Sequence, residues 1–158
     1  MKILMVCLGN ICRSPMAEGI LRKKLIDKKL NQSIEVDSAG TISLHQGEHP
    51  DRRAIQIANK HGVDISELRA RPFKVNDFDT FDKIIVMDAS NYDDVVAMAR
   101  NEEDKRKVEM LLNFIKPNSN QEVPDPYYGD MEGFDKVFKL IDEACDNFIL
   151  SLEKEISK

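Results

Sequence analysis

Lys2-Ile3-Leu4-Met5-Val6-Cys7-Leu8-Gly9-Asn10-Ile11-Cys12-Arg13-Ser14-Pro15 is the stretch on which the fold turns. Residues 2–7 are an apolar run, too short for a helix and soon closed by Gly9, so they read as a buried strand. Ser14-Pro15 reads as an N-cap followed by proline at the first helical position. Beyond it, Ile20, Leu21, Leu25 and Leu30 make one apolar face among lysines and arginines. A strand, a tight turn and an amphipathic helix therefore open the chain.

The same pattern repeats outward from there. A second strand fits about 33–37, closed by the turn Ser38-Ala39-Gly40. Asp51 to His61 reads as a helix ended by Gly62, with Ala54, Ile57 and Ala58 inward. Lys83 to Met87 is a further buried strand, Asn91 to Arg100 a helix, and 108–112 a fourth apolar strand. The mixed-sign patch Asn101–Lys107 reads as solvated surface. In the last helix, Phe134, Val137, Phe138, Ile141, Cys145, Phe148, Leu152 and Ile156 recur at three- and four-residue steps, which makes Cys145 a core residue. Alternating strands and helices predict a single-domain α/β fold over residues 1–158. It has a four-stranded parallel sheet, helices on both faces and right-handed crossovers. Ligands of such sheets sit at the carboxyl ends of the strands, and Cys7 stands at one of them.

Composition bounds the function. The 158 residues carry 23 basic and 28 acidic side chains, a net charge of −5, which argues against a general nucleic-acid binder. The N-terminal apolar run is broken by Gly9-Asn10 and Arg13 without a small-residue cleavage site, so a strand is preferred to a secretory signal. No other segment is apolar for long enough to span a membrane. Three cysteines without framework spacing fit free thiols in a reducing cytoplasm.

The turn after the first strand has the makings of an anion site. Gly9 and Asn10 tolerate positive φ, so the chain can curl and aim successive amides into one concavity. The helix start adds unpaired amides and the positive end of its dipole. Arg13 offers a planar fork for two phosphate oxygens. A thiolate at Cys7 is the species such a field stabilises, with Ser14 as a further donor, and the same donors suit the charge of phosphoryl transfer. A bare Cys-x5-Arg would be a buried thiol and a surface cation; the surrounding strand, turn and helix start reverse that reading. Cys12 either lines the loop or pairs reversibly with Cys7 to guard it against over-oxidation. The leaving oxygen needs an acid, and Asp125 stands out in the rigid loop Val123-Pro124-Asp125-Pro126-Tyr127-Tyr128-Gly129, although spacing alone fits a surface turn equally well.

Residues 6–15 closely resemble the signature of the low-molecular-weight protein tyrosine phosphatases, and Asp125-Pro126-Tyr127-Tyr128-Gly129 is similar to that family's second motif. Residues 36–41 and 81–88 also resemble family segments, so the likeness spans essentially the whole chain. It implies a flavodoxin-like catalytic domain that hydrolyses phosphotyrosine in proteins through a phosphocysteine. In that reading Cys7 is the nucleophile, Arg13 the phosphate clamp and Asp125 the general acid and base. Leu8, Gly9, Asn10, Ile11, Cys12 and Ser14 form the substrate loop, with Asn10 and Ser14 holding its shape. Leu44, Tyr127 and Tyr128 stand at the pocket mouth. The resemblance implies no metal or organic cofactor, and His45, His49 and His61 lack ligand spacing and read as surface or turn residues. It further implies phosphotyrosine proteins as partners, a cognate tyrosine kinase, and a monomer or weak homodimer.

Three positions depart from the family pattern. Leu44 replaces an aromatic wall, so ring stacking is lost there. Leu68 stands where many relatives carry a loop-supporting histidine, and Pro72 replaces a glutamine. Protein arginine phosphatase is the alternative activity; those relatives tend to have threonine where Ile11 stands, and an apolar Ile11 favours a flat ring. Arsenate reductase is disfavoured, because no cysteine pair near the C-terminus could carry its disulfide relay.

Overall fold

The computed structural model describes residues 1–158. Strand β1 (Lys2–Cys7) is followed by α1 (Arg13–Asp27), β2 (Glu35–Gly40), α2 (Arg52–Lys60) and the short α3 (Asp77–Thr80). Then come β3 (Lys83–Val86), α4 (Ala89–Ala97), α5 (Glu102–Arg106), β4 (Val108–Met110), a 3-10 turn (Leu111–Phe114) and α6 (Met131–Ile156). The four strands form one parallel sheet, as expected, and their order is β2-β1-β3-β4.

Period-two side-chain alternation sorts the core into two layers. Ile3, Met5 and Cys7 of β1 point into the larger cluster under α1, α2 and α6, while Leu4 and Val6 point into the smaller one with Phe78, Ile84, Val86 and Val95. Both faces of β1 are therefore buried, which is why it reads as an unbroken apolar run. The chain leaves β1 towards β2 on one side and later returns to β3 on the other. That reversal leaves a crevice beyond the carboxyl end of β1.

The differences from expectation are local and have causes. β2 runs on through Ser38-Ala39-Gly40, because Cys7 pairs with Gly40 at the end of the ladder; the predicted turn is strand. α1 starts at Arg13, so Ser14 is no N-cap; it lies inside the helix and fully buried. α4 begins at Ala89 because the Asp88 side chain caps the Asn91 amide. β4 ends at Met110, where the chain tightens into the 3-10 turn. The patch 101–107 is not wholly solvated, since α5 buries Asp104 against Arg100. On α6 the predicted stripe is buried as far as Leu152, including Cys145, whereas Ile156 in the last turn is exposed. No helix is long and apolar enough to cross a membrane.

Phe148 is fully buried and stacks on Phe114 with ring centroids 4.3 Å apart. Phe148→Ala should cost roughly 3–5 kcal/mol of stability, read by urea denaturation, because the surroundings close only partly over the void.

Candidate active site

The crevice beyond β1 holds a cavity of about 230 Å³. Cys7, Leu8, Gly9, Ile11, Cys12 and Arg13 form its floor, and Asp125, Tyr127, Tyr128 and Leu44 its rim. Ile42 and His45 complete the wall, and sequence reading missed both. His45 had been read as a surface or turn residue; its Nδ1 lies 3.0 Å from Glu48 Oε2 while the ring faces the loop. A larger cleft between α1, α2 and α6 is lined by Lys23, Lys24, Asp27, His61 and Asp142 and has no thiol or hydroxyl.

The backbone N–H groups of residues 8–12 donate to no acceptor in the protein. Groups of that kind require a partner, and a curl of them is a ready anion cradle. Only Asn10 adopts the left-handed conformation expected of the turn, with φ of 57°. Gly9 does not; its lack of a side chain makes room for His45, whose Cδ2 would stand 3.1 Å from an added Cβ. Gly40 is needed for a similar reason, since a Cβ there would come within 2.8 Å of the Leu8 carbonyl oxygen.

Asn10 is pinned from all sides. Its Nδ2 donates to Ser14 Oγ at 2.7 Å and to Ser38 Oγ at 2.9 Å, and its Oδ1 accepts from the Arg71 amide at 3.0 Å. Ser38 in turn donates to Glu18 Oε1 at 2.6 Å, and Glu18 also accepts from Arg22. Burial pushes the Glu18 carboxyl up, partly opposed by Ser38 and Arg22. Ser14 Oγ, filled as an acceptor by Asn10, lies 3.0 Å from Cys7 Sγ and can donate its own proton there. Asn10 and Ser14 thus stand behind the cavity and not in its lining. Leu68, where a supporting histidine was in question, packs against the core; the support comes from Ser38, Glu18 and the Arg71 amide. Glu18 and Arg22 were missed, although Ser14, Glu18 and Arg22 form an i, i+4 polar row along α1.

Arg13 is 2% exposed. Its Nη1 donates to Asp88 Oδ2 at 2.7 Å and to the Val123 carbonyl at 2.9 Å, while Nη2 lies 3.6 Å from Asp125 Oδ2. Burial works against the Arg13 charge, and Cys7, Asp88 and Asp125 outweigh it and hold the group further into its cationic range. Asp88 is a further residue that sequence reading missed as part of the site. Cys12 is buried and free; burial, then Asp51 and Cys7, push its thiol far above the ordinary range. Leu44 is 75% exposed and Tyr128 93%, so the mouth is open and apolar, with Tyr127 and Tyr128 edge-to-face at 5.0 Å.

A thiol at the base of an unpaired amide loop, on a parallel sheet of order 2-1-3-4, defines a phosphate-handling α/β protein. A family model described as low molecular weight phosphotyrosine protein phosphatase matches residues 2–158. The chain belongs to that family. It is 38% identical to the low molecular weight protein-tyrosine-phosphatase YfkJ of Bacillus subtilis, over 97% of this chain and 96% of that one. It is likewise 38% identical to the low molecular weight phosphotyrosine protein phosphatase of Gallus gallus, over 93% and 92% of the two chains. The crystal structure of a protein tyrosine phosphatase from Entamoeba histolytica superposes with a TM-score of 0.92 at 39% identity, covering 98% of each chain.

Asp88→Ala would leave the buried Arg13 guanidinium short of its strongest partner. Because Asp88 is itself partly exposed, the loss should be roughly 1–3 kcal/mol in urea denaturation, below that of a fully buried pair.

Proposed function

We propose that residues 1–158 act as one catalytic domain that hydrolyses phosphotyrosine in proteins, with Cys7 as nucleophile, Arg13 as phosphate clamp and Asp125 as general acid and then base. The observation that carries the reading is the Arg13 guanidinium, buried between the Cys7 loop and Asp125 on one small cavity.

A phosphate entering the loop accepts from the unpaired amides of residues 8–12 and from Arg13. Cys7 sulfur attacks phosphorus in line; the S–P bond forms as the P–O bond to the phenol breaks. The leaving oxygen takes its proton from Asp125. Water then attacks phosphorus, giving a proton to Asp125 and breaking the S–P bond to release phosphate. Ser14, oriented by Asn10, donates to the sulfur when it is the thiolate that attacks or leaves. Charge on the transferring phosphoryl group is met by donors already in place, so little reorganisation is needed. Ile11 and Ile42 give a ring-sized apolar wall, and the exposed Leu44 and Tyr128 widen the mouth for a protein-borne tyrosine. A thiol nucleophile suits a reducing cytoplasm, and the proteins it acts on must come from a tyrosine kinase.

Peptides bearing phosphotyrosine, phosphoserine and phosphoarginine test the assignment. Phosphotyrosine should turn over fastest, and Cys7→Ser should abolish turnover while retaining phosphate binding. Phosphoarginine turnover exceeding that of phosphotyrosine, or substantial activity in the variant, would overturn it. For Asp125→Ala, kcat/KM should fall by about 10²- to 10⁴-fold with poor leaving groups and far less with good ones. An equal loss across both would assign the acid elsewhere.

A further inference from the structure

We infer that Arg53 is a positioning residue that fixes the Asp125 loop to the phosphate loop, an inference that rests on the role proposed above for Asp125. Arg53 lies in the first turn of α2, where a cation faces the positive end of the helix dipole. A residue placed against its local preference calls for a tertiary reason. Its guanidinium supplies one.

Nη2 donates to the Tyr127 carbonyl at 2.8 Å and Nη1 to the Gly129 carbonyl at 3.0 Å. From Pro124 to Gly129, Arg53 is the only side chain from outside the loop that hydrogen-bonds the backbone. The effect reaches the carboxylate directly, because the Tyr127 amide donates to Asp125 Oδ1 at 3.1 Å. Arg53 thus holds Tyr127 by its carbonyl while the N–H of the same residue, one Cα away, orients the acid and leaves Oδ2 towards Arg13.

The other end of the clamp is anchored equally firmly. Nε and Nη2 of Arg53 each donate to Asp51 at 3.0 Å, and Asp51 Oδ1 also caps the Arg53 amide at 2.9 Å. The Asp51 amide donates to the Ile11 carbonyl at 2.7 Å, in the middle of the phosphate loop. The guanidinium carbon stands 4.5 Å from the Phe134 ring centroid and 5.6 Å from that of Tyr127, so α6 and the pocket mouth grip its faces. The planar fork makes four hydrogen bonds here, to two carbonyls and both oxygens of a carboxylate, one more than the three donors of a lysine allow.

The test is kcat/KM for aryl phosphates whose phenols span a wide acidity range, in the wild type, Arg53→Ala, Arg53→Lys, Asp125→Ala and Arg53→Ala/Asp125→Ala. Inhibition by inorganic phosphate is read alongside. Arg53→Ala should lose about tenfold to a hundredfold with poor leaving groups and little with good ones, since a displaced acid matters only where protonation is needed. Inhibition by phosphate should stay near the wild-type level, Arg53→Lys should recover part of the loss, and the double variant should be no worse than Asp125→Ala. An equal loss for every leaving group, additive in the double variant, would reduce Arg53 to a structural residue and overturn the inference. No loss would do the same. A flat leaving-group profile in Asp125→Ala alone would instead overturn the acid assignment, and this inference with it, without reference to Arg53. Should Arg53→Ala fail to fold, Arg53→Lys carries the same comparison.

Discussion

The buried charge of Arg13 is the constraint around which the rest is arranged. A guanidinium at 2% exposure needs its charge met. Asp88 after β3 and the Val123 carbonyl take both Nη1 hydrogens, and Asp88 and Asp125 meet the charge. One side chain at the start of α1 thereby ties the β1-α1 unit to the β3-α4 unit and to the loop before α6. The crevice follows from sheet order, but its usable shape follows from this satisfied ion.

Around that ion lies a second layer of constraint, a hydrogen-bonded chain through Ser14, Asn10, Ser38 and Glu18 behind Cys7. Asn10 spends both amide hydrogens on Ser14 and Ser38, and the Ser14 proton has the Cys7 sulfur at 3.0 Å and the Ala39 carbonyl at 3.4 Å as its acceptors. Glu18 terminates the row inside the protein, with burial raising its carboxyl and Ser38 and Arg22 opposing that effect. The loop is therefore rigid for a reason other than glycine. Its one left-handed residue is Asn10, locked by hydrogen bonds on both ends of its side chain. The amides of residues 8–12 stay unpaired while Asn10, Ser14 and Ser38 behind them are hydrogen-bonded, a contrast suited to an anion.

Family resemblance and local patterning recovered the four strands, the long final helix and Cys7, Arg13 and Asp125 on one cavity. Boundaries slipped where a partner element overrode local preference. Ser38-Ala39-Gly40 has the composition of a turn but continues as strand because β1 pairs with it through Gly40. Ser14 has the preference of an N-cap but lies in the helix, where its hydroxyl is claimed by Asn10 and Cys7. His45 gives no local sign of facing the cavity. Glu18 was legible in principle, as one member of an i, i+4 polar row, but charge at that position reads as solvent-facing until the row's partner on β2 is known.

What the sequence determined by itself is the order of elements, the two-sided burial of β1 and the chemical identity of the loop. These depend on residues near one another along the chain, through side-chain period, turn chemistry and helix start. Tertiary structure alone decided which acids stand beside Arg13 and how the Asp125 carboxylate is held, because Asp88, Asp51 and Arg53 reach the site from distant segments. Their distances of 2.7–3.0 Å from their partners arise from how the sheet's crossovers bring loop ends together, a relation that no local pattern encodes.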